Sequence, residues 1–461
     1  MNLYQLFDWL NKQGIKLSAQ DGKLHLRAPK GVLSPEIQTI LSERKAEILE
    51  FMTQNHQKIE KFIDLSAEAV LESTIYPENT ATSWVTEPTS IFLTGATGFL
   101  GAFLLSELLQ QTQAKIYCLV RASELETAQG RLQNNLKFYN LWNSSFQSRI
   151  IPVLGDISLL QLGLTTATFS KLANEIDSIY HSGALLSYVY SYARLKPCNV
   201  LGTQEILRLA CQSKTKSLHY ISSFAVFESS TYCQKIVDEN ESLSDWQDIY
   251  LGYSQSKWVA EKLVMEARDR GLPINIYRSA FISGDSQTGI WKNNDIICRM
   301  IKGYIQMGSM PQLDYFLDLS PVDYVAQGIV YLSRQKQAIG KCYHLNNPHP
   351  YHWQDLFAWL CSLGYSIQLI PYQEWQKQLS ATMRTNQNVL TSLIPFFCKQ
   401  WGREQITIPE LYQQNIRPKI SCQETLNMFR ETAIICPAVD TALLKIYFSY
   451  FLSSGYLEPA S

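Results

Sequence analysis

The sequence of 461 residues lacks an excess of charge of one sign, a paired cysteine motif and a long apolar run. Its 40 Lys and Arg balance 41 Asp and Glu, which argues against a nucleic-acid-binding or polybasic membrane-binding protein. Ten cysteines without a Cys-x-x-Cys pair indicate reduced thiols of a cytoplasmic protein, not a disulfide framework or a zinc site. The sequence shows no basic start before an apolar run, which argues against a signal peptide, and no stretch of about 18 apolar residues, which argues against a membrane span. These absences favour a soluble, multi-domain enzyme without a metal site.

The first 52 residues have the pattern of a small separate unit. Apolar spacing predicts a helix over Leu3–Leu10, and Asp21-Gly22 between two alternating runs predicts a hairpin. Ser34-Pro35 is typical of an N-cap followed by the first helical residue, so a further helix is expected to end near Met52. Because so small a unit is marginally stable alone, we expect it to dimerise or to bind a partner. The simpler alternative is an appendage packed on the main body.

A connector over residues 53–90 follows, with five acidic residues, no basic residue and no periodicity between Asp64 and Ser90. It is interpreted as a linker or as an arm lying on the next domain. From Ile91 to about residue 285, short apolar strands alternate with helical segments. This alternation predicts an α/β fold with a Rossmann-like, doubly wound parallel sheet over 91–285.

The remaining segment, 286–461, has a more helical and irregular pattern. It is interpreted as a smaller, mainly helical substrate-binding domain. Within it we expect one strand pair near Lys341–Leu345 and Ser366–Pro371, and a last helix over Val439–Gly455.

A glycine-rich loop follows the first apolar strand and opens a helix, which is the context of a dinucleotide-binding fingerprint. Glycine lets the backbone turn tightly and approach a pyrophosphate, and the helix N-terminus offers N–H donors. The candidate cofactor-binding residues of this loop are Gly95, Thr97, Gly98, Phe99, Leu100 and Gly101.

Other strand ends supply further cofactor candidates. Arg121 stands where NAD-preferring folds often carry an acid, and its guanidinium suits a 2′-phosphate, which favours NADPH; Arg131 is a second candidate for that phosphate. Asp156 is expected to bind the adenine amino group. His181 is interpreted as a packed strand-end histidine. The remaining candidates follow the third and fourth strands and are Ile157, Ser182, Gly183 and Ala184.

Tyr253 and Lys257 form a Tyr-x-x-x-Lys pair, which shares one face of a helix. The lysine is expected to lower the pKa of the tyrosine and bind the nicotinamide ribose, so that Tyr253 acts as general acid. Ser223, at the end of an apolar strand, is expected to hold the substrate carbonyl. Ser222 beside it is the alternative catalytic serine and a further cofactor candidate. A second such pair, Tyr192 with Lys196, is interpreted as structural.

Taken together, these motifs resemble the extended short-chain dehydrogenase/reductase superfamily. Residues 63–461 look like the thioester reductase domain that ends some nonribosomal peptide synthetases and carboxylic acid reductases. The supporting strings occur in order and include LTGATGFLG, RIIPVLGDI, YISSFAVF, YSQSKWVAEKLV and DLSPVDYVA. The resemblance implies reduction by NADPH of a carrier-bound acyl or peptidyl thioester to an aldehyde, and in some relatives to an alcohol.

The resemblance also assigns roles to residues. The family's catalytic residues fall on Ser223, Tyr253 and Lys257, and Asn199 matches a structural asparagine that supports the lysine through water in related enzymes. Ser279-Ala280 departs from the family's Pro-Gly, which leaves the nicotinamide orientation or the substrate clearance open.

Residues 1–52 resemble the N-terminal docking domain of the tubulysin-synthetase type. Such domains are implied to be αββαα units, often homodimeric, that capture the tail of an upstream synthetase subunit along their hairpin. The partner is then an acyl or peptidyl carrier protein on another polypeptide, and the reductase acts in trans. Two alternatives are an extended reductase or epimerase acting on a free acyl-CoA or sugar nucleotide, and an NADP-binding scaffold without catalysis.

Overall fold

The structure is a computed structural model, and it describes residues 15–20, 23–28, 34, 37, 41–42, 44–45, 47, 63–78, 84–382, 388–401, 405–413 and 416–460. The chain divides into two compact units, Met1–Leu65 and Ser66–Ser461. No helix among these described residues is long and apolar enough to cross a membrane.

The first unit contains the predicted hairpin. Strands β1 (Lys16–Gln20) and β2 (Lys23–Arg27) pair antiparallel, with Gln20 opposite Lys23. The predicted turn at Asp21-Gly22 and the predicted helix over Leu3–Leu10 lie outside the described residues. Ser34 acts as the expected N-cap, because its hydroxyl accepts a hydrogen bond of 3.3 Å from the backbone N–H of Ile37.

The second unit is built from strands and helices that alternate over its first two thirds. Its strands are β3 (Ser90–Thr94), β4 (Lys115–Val120), β5 (Ile150–Leu154), β6 (Ser178–His181), β7 (Ser217–Ser223), β8 (Ile236–Val237), β9 (Ile274–Ser279), β10 (Phe281–Ser283), β11 (Ser309–Gln312), β12 (Phe316–Leu317), β13 (Leu319–Pro321), β14 (Cys342–Leu345), β15 (Tyr351–His352), β16 (Gln368–Pro371) and β17 (Lys419–Ile420).

The helices are as follows, with α1 starting at the last residue of the first unit. They are α1 (Leu65–Glu68), α2 (Phe99–Gln111), α3 (Leu125–Phe138), α4 (Thr166–Glu175), α5 (Tyr192–Lys196), α6 (Gly202–Cys211), α7 (Gly252–Asp269), α8 (Ile296–Met307), α9 (Val322–Ser333), α10 (Trp353–Ser362), α11 (Tyr372–Thr382), α12 (Ile394–Cys398), α13 (Ile408–Leu411), α14 (Gln423–Phe429) and α15 (Thr441–Ser453). The last helix is thus slightly shorter than the predicted Val439–Gly455.

Seven parallel strands form the main sheet, in the order β5-β4-β3-β6-β7-β9-β14. The predicted Rossmann-like fold is confirmed. The chain reverses its direction of winding between β3 and β6, so the carboxyl ends of these two strands flank a crevice. In open α/β sheets, ligands bind at such a switch point.

The predicted pairing of the two late strands is wrong. β14 pairs in parallel with β9, with Cys342 opposite Ile276, and β16 pairs with β11, with Gln368 opposite Ser309. Apolar runs reveal that a strand exists but not which free sheet edge it will join. The segment after residue 285 therefore supplies the last strand of the main sheet, and its helix α9 packs on α2.

The rest of the C-terminal segment has its own apolar core. This core buries large aromatic side chains, among them Trp291, Trp353 and Trp375, which are at most 1% exposed. Ring contacts extend this core, with Tyr315 stacked on Trp353 at 4.7 Å between centroids. Phe281, which lies just after β9, packs against the same core. The C-terminal segment is thus joined to the carboxyl end of the main sheet.

Residues 66–78 of the connector belong to the second unit and form an arm along it. Arg270 donates hydrogen bonds of 2.7 to 2.8 Å to the carbonyls of Leu71, Glu72 and Ile75. Glu266 accepts a bond of 2.9 Å from the backbone N–H of Leu71. These contacts favour the second of the two interpretations of the connector.

Candidate active site

The glycine loop stands at the switch point between β3 and β6. Gly95 has a φ of +80°, a left-handed conformation that glycine adopts without strain, and a Cβ there would lie 2.8 Å from the backbone nitrogen of Gly183. At Gly101, a Cβ would lie only 1.9 Å from the carbonyl oxygen of Gly95. The loop therefore packs so tightly against α2 and the loop after β6 that glycine is required at both positions.

The start of α2 is suited to bind a pyrophosphate. Gly98 precedes the helix as its N-cap residue and, being a glycine, has no side chain that could cap the first N–H groups. These groups and the positive end of the helix dipole are thus available to an anion. Asn135 fixes the loop from α3, because its amide donates hydrogen bonds of 3.1 Å to the carbonyls of Ala96 and Gly98. This contact leaves no signal in the sequence, and Asn135 is absent from the predicted site.

The other loop candidates have different surroundings. Phe99 turns its ring to Phe103 and Tyr139, with centroids 5.7 and 5.3 Å away, and Leu100 is buried. Their side chains are part of the core, so they face the cofactor crevice only with their backbones. Thr97 is half-buried in the loop itself.

A buried polar chain runs beneath the loop. The Thr94 hydroxyl accepts from the backbone N–H of Gly183 at 2.9 Å and lies 2.8 Å from Nδ1 of His181. His181 Nε2 lies 2.9 Å from the hydroxyl of Thr203, which donates to the carbonyl of Asn199. Burial lowers the pKa of His181 to about 3, so the ring is neutral. The histidine is packed, as predicted, and it joins the loops on both sides of the crevice.

Arg121 and Arg131 lie together at the carboxyl end of β4. Both are exposed, and the guanidinium of Arg131 donates to the backbone carbonyl of Arg121. Among the described residues, the Arg121 guanidinium has no hydrogen-bond partner, so it is available to a phosphate.

Asp156 stabilises its own turn, because Oδ1 accepts from the backbone and the hydroxyl of Ser158 at 2.9 and 2.7 Å. Ile157 packs near Gly183 and Gly202, and Ala184 is exposed at the rim. The predicted contact of Asp156 with adenine stays a prediction.

The three catalytic candidates meet at the carboxyl end of β7 and the first turns of α7. Lys257 is buried and donates to the hydroxyl of Tyr220 at 2.9 Å and to the carbonyl of Ile221 at 2.8 Å. Ser223 ends β7, and its hydroxyl accepts from the backbone N–H of Ala225 at 3.2 Å. The hydroxyl can still donate toward the crevice, where Tyr253 is half-buried.

The titration of this site differs from the expectation in one respect. Burial raises the pKa of Tyr253 to about 12. The charge of Glu228 adds to this rise, whereas hydrogen bonding with Ser223 opposes it. The expected lowering by Lys257 is therefore wrong, and the phenol is protonated at neutral pH. Burial lowers the pKa of Lys257 to about 8, against the opposing effect of Glu261. The site thus holds a protonated acid beside a lysine that loses its charge in mildly alkaline solution.

Ser222 has a different role from Ser223. Its side chain is buried and donates to Glu261, which also accepts from Arg278 at 2.7 and 2.9 Å. Arg278 and Glu261 are both fully buried. The Ser222 side chain thus belongs to a charged layer under the site, and any cofactor contact of this residue would have to come from its backbone.

Asn199 holds the loop after β6 and the catalytic helix together. It lies in a π-helical turn, Pro197–Leu201, exchanges hydrogen bonds of 2.7 and 3.0 Å with the backbone of Leu185, and donates to Ser256 at 2.9 Å. Ser256 precedes Lys257 in the sequence, so this contact lies next to the lysine on α7; the expected support of the lysine by Asn199 stays a prediction. Such π-turns occur frequently at functional sites.

The second Tyr-x-x-x-Lys pair is structural, as predicted. Tyr192 donates to Glu68 of the arm at 2.9 Å, and Lys196 forms an ion pair with the same carboxylate.

Ser279, which replaces the family's proline, is buried at the end of β9 opposite Ser223, and its hydroxyl lies 3.5 Å from the carbonyl of Ser222.

The parallel sheet, the glycine loop at its switch point and the Ser, Tyr and Lys side chains define an oxidoreductase that binds a nicotinamide dinucleotide. Comparison with known proteins agrees. Residues 93–329 match the family described as Male sterility protein, and residues 4–54 match the TubC N-terminal docking domain. The chain thus belongs to the Male sterility protein family, as a reductase domain of the nonribosomal peptide synthetase type, and it carries an N-terminal docking domain.

Individual relatives agree with this assignment. The chain is 36% identical over 440 residues to a linear gramicidin synthase chain of Brevibacillus parabrevis, and the match covers 95% of this chain but only 8% of that protein. The crystal structure of the terminal R domain from the myxalamid PKS-NRPS pathway is 40% identical, with a TM-score of 0.80 over 86% of this chain and 99% of that chain. A thiolation-reductase di-domain from an archaeal non-ribosomal peptide synthetase is 25% identical, with a TM-score of 0.65 over 87% of this chain and 83% of that chain.

Proposed function

We propose that this protein is an NADPH-dependent thioester reductase that releases a carrier-bound acyl or peptidyl chain as an aldehyde. The observation that carries the proposal is the convergence of Ser223, Tyr253 and Lys257 on the crevice beside the glycine loop, in a chain that belongs to the reductase family. NADPH is favoured over NADH because Arg121 offers its guanidinium at the end of β4, where an acidic residue would repel a 2′-phosphate.

The chemistry assigned to the residues follows from their protonation states. Bound NADPH supplies the hydride that reduces the thioester carbonyl carbon. Ser223 and Tyr253 donate hydrogen bonds to the carbonyl oxygen and stabilise the negative charge that develops there. Tyr253 then gives its proton to that oxygen, and the resulting thiohemiacetal collapses as the carbon–sulfur bond breaks, which yields an aldehyde and a free thiol. Lys257 is charged below about pH 8 and orients the ribose beside the tyrosine.

Action in trans is part of the same proposal. The N-terminal unit matches a docking domain, and a solved relative joins a thiolation domain to its reductase. We infer that residues 1–52 bring the reductase to a synthetase subunit whose carrier protein presents the thioester. Homodimerisation of this unit is an additional hypothesis.

The test of catalysis uses two matched tyrosine variants. Tyr253→Phe removes the proposed acid, and Tyr192→Phe removes the hydroxyl of the structural pair, which binds the arm. We expect Tyr253→Phe to lower kcat for NADPH oxidation with an acyl-pantetheine thioester by roughly a hundredfold or more, while Tyr192→Phe retains the rate. Equal rates for Tyr253→Phe and the parent would contradict the proposed mechanism.

The test of docking compares the full chain with a variant that lacks residues 1–52. The deletion should leave the rate on acyl-pantetheine unchanged and lower the rate on the thioester of the partner carrier protein. If both proteins reduce the carrier-bound thioester equally fast, recruitment through the N-terminal unit is wrong. A scaffold without catalysis would oxidise no NADPH in any of these assays.

A further inference from the structure

The ammonium of the catalytic lysine contacts a tyrosine that lies outside the set of Ser223, Tyr253 and Lys257. Tyr220 lies on β7, three residues before Ser223, and its side chain is buried. Its hydroxyl accepts a hydrogen bond of 2.9 Å from Nζ of Lys257, and the same Nζ lies 4.4 Å from the centroid of its ring. A phenol oxygen and a ring face both stabilise a nearby cation, so one side chain supports the lysine twice.

The partners of Lys257 fix its position relative to β7. Nζ carries three donors, and two of them bind the Tyr220 hydroxyl and the carbonyl of Ile221, which is 2.8 Å away. Both acceptors belong to the strand that ends in Ser223. Because a buried ammonium is costly unless its N–H groups are paired, the loss of either acceptor destabilises the charged lysine. The third donor is left for a hydroxyl of the ribose.

Tyr220 also connects the lysine with the buried polar chain beneath the glycine loop. Burial raises the pKa of Tyr220 well above its ordinary value, so the phenol is protonated at neutral pH, and hydrogen bonding with Thr203 opposes this rise. The Thr203 hydroxyl lies 2.9 Å from Nε2 of His181, whose ring centroid is 5.7 Å from that of Tyr220. The Tyr220 hydroxyl therefore lies where the polar chain that holds Gly183 meets the catalytic lysine.

The other groups around Lys257 do not replace this contact. Burial lowers the pKa of Lys257 to about 8, and Glu261 on the same helix opposes this shift through its charge, as does Cys198 of the π-helical turn. His181 on β6 is neutral, and Tyr253 on α7 is protonated. Among the described residues, the two hydrogen-bond acceptors of the ammonium are thus uncharged, and one of them is the phenol.

We propose that Tyr220 is a positioning residue of the reductase, which holds the ammonium of Lys257 at the carboxyl end of β7 and so fixes the donor that orients the ribose beside Tyr253. This inference rests on the proposed function, because it concerns the role assigned there to Lys257. The simpler alternative is that the phenol only fills the core, in which case its loss would change stability alone.

The test removes the phenol oxygen and keeps the ring. Tyr220→Phe leaves a ring face against the ammonium, so the hydroxyl is the only group lost. Tyr180→Phe is the matched control, since Tyr180 is a buried tyrosine of β6 whose hydroxyl donates to Ser333 at 2.6 Å. The first measurement is NADPH affinity without substrate, by fluorescence titration over a pH series. The pH midpoint reports only on molecules that bind NADPH, so partial misfolding of a variant does not obscure it.

In the parent protein, we expect NADPH affinity to fall around pH 8, where Lys257 loses its charge. Without the phenol oxygen the charged form loses an acceptor, so the pKa of Lys257 falls and the midpoint moves to lower pH. A shift of about one pH unit corresponds to the usual effect of losing a hydrogen bond to a charged group. Tyr180→Phe should keep the midpoint of the parent.

The second measurement is kcat/KM with an acyl-pantetheine thioester over the same pH series. The alkaline limb of Tyr220→Phe should move to lower pH together with the binding midpoint, and that of Tyr180→Phe should stay in place. An unchanged midpoint in Tyr220→Phe, an equal shift in Tyr180→Phe, or a parent affinity that does not change with pH would each overturn the positioning role. If the parent reduces no thioester, the proposed function fails, and the binding midpoint still decides whether Tyr220 holds Lys257.

Discussion

Replacing Glu261 with glutamine removes the negative charge that both Arg278 and Lys257 face beneath the candidate site. The Arg278 guanidinium donates two hydrogen bonds to Glu261, at 2.7 and 2.9 Å, and neither side chain is exposed. Removal of one partner of a buried ion pair costs about 3–5 kcal/mol, because it leaves an uncompensated charge. We expect a loss of about 3 kcal/mol in the free energy of unfolding, the lower end of that range, since the glutamine oxygen still accepts a hydrogen bond.

The same substitution should change the pH dependence of the reaction. Burial lowers the pKa of Lys257 to about 8, and Glu261 opposes this shift because its charge stabilises the ammonium. Without Glu261 the pKa of Lys257 falls below about 8, and the lysine loses its charge at a lower pH. The alkaline limb of kcat/KM, which reports ionisations of the free enzyme, should therefore move from about pH 8 to lower pH.

The assay combines urea unfolding with a pH series of NADPH oxidation, carried out well below the unfolding midpoint. Glu266→Gln is the matched control, since Glu266 lies on the same helix and also pairs with an arginine, Arg270, but is partly exposed. This control should lose at most about 1 kcal/mol and keep its alkaline limb. An unchanged limb in Glu261→Gln would mean that Glu261 does not tune Lys257, and an unchanged unfolding free energy would refute the stabilising role of the buried pair.

Three further substitutions test other parts of the structure. Arg121→Ala should lower the preference for NADPH over NADH by roughly ten- to a hundredfold, because a charge-assisted phosphate contact is lost. The preference is measured as the ratio of kcat/KM for the two cofactors, and an unchanged ratio would mean that Arg121 does not bind the cofactor. Gly101→Ala places a Cβ 1.9 Å from the carbonyl oxygen of Gly95, so NADPH affinity in a fluorescence titration should fall sharply, and normal affinity would show that the loop can move. Trp353→Ala should cost about 3–5 kcal/mol in urea unfolding, because this side chain is fully buried against Tyr315, and a loss below about 1 kcal/mol would mean that the second core is not tightly packed.

Much of the fold follows from the sequence because its constraints lie in the backbone. The strand, the tight turn and the helix start around Gly95 each demand a particular residue type, so the pattern is readable without a structure. The alternation of apolar strands and helices between Ile91 and about residue 285 likewise predicts the parallel main sheet. The sequence shows that β14 is a strand, but it does not show which strand β14 pairs with. Its partner β9 lies about 65 residues earlier in the chain, so the pairing depends on which sheet edge is free.

The residues that hold the candidate site in place are harder to predict from the sequence. Asn135 fixes the glycine loop through two backbone carbonyls, and Tyr220 accepts a hydrogen bond from Lys257, yet each is a single polar residue without a spacing pattern. The motif predicts the pKa of Tyr253 in the wrong direction because it shows the nearby lysine but not the burial. Burial is a property of the packed chain, and it is the largest cause of the raised pKa of Tyr253.

The proposed function depends above all on the passage of hydride from the nicotinamide to the carbonyl carbon of a thioester. The direct measurement uses NADPH carrying deuterium at the transferred position, an acyl-pantetheine thioester, and mass spectrometry of the trapped product. We expect an aldehyde with one deuterium for each NADPH oxidised, together with one equivalent of free pantetheine thiol. Release of unlabelled acid, or oxidation of NADPH without deuterium in the product, would contradict the proposed reaction.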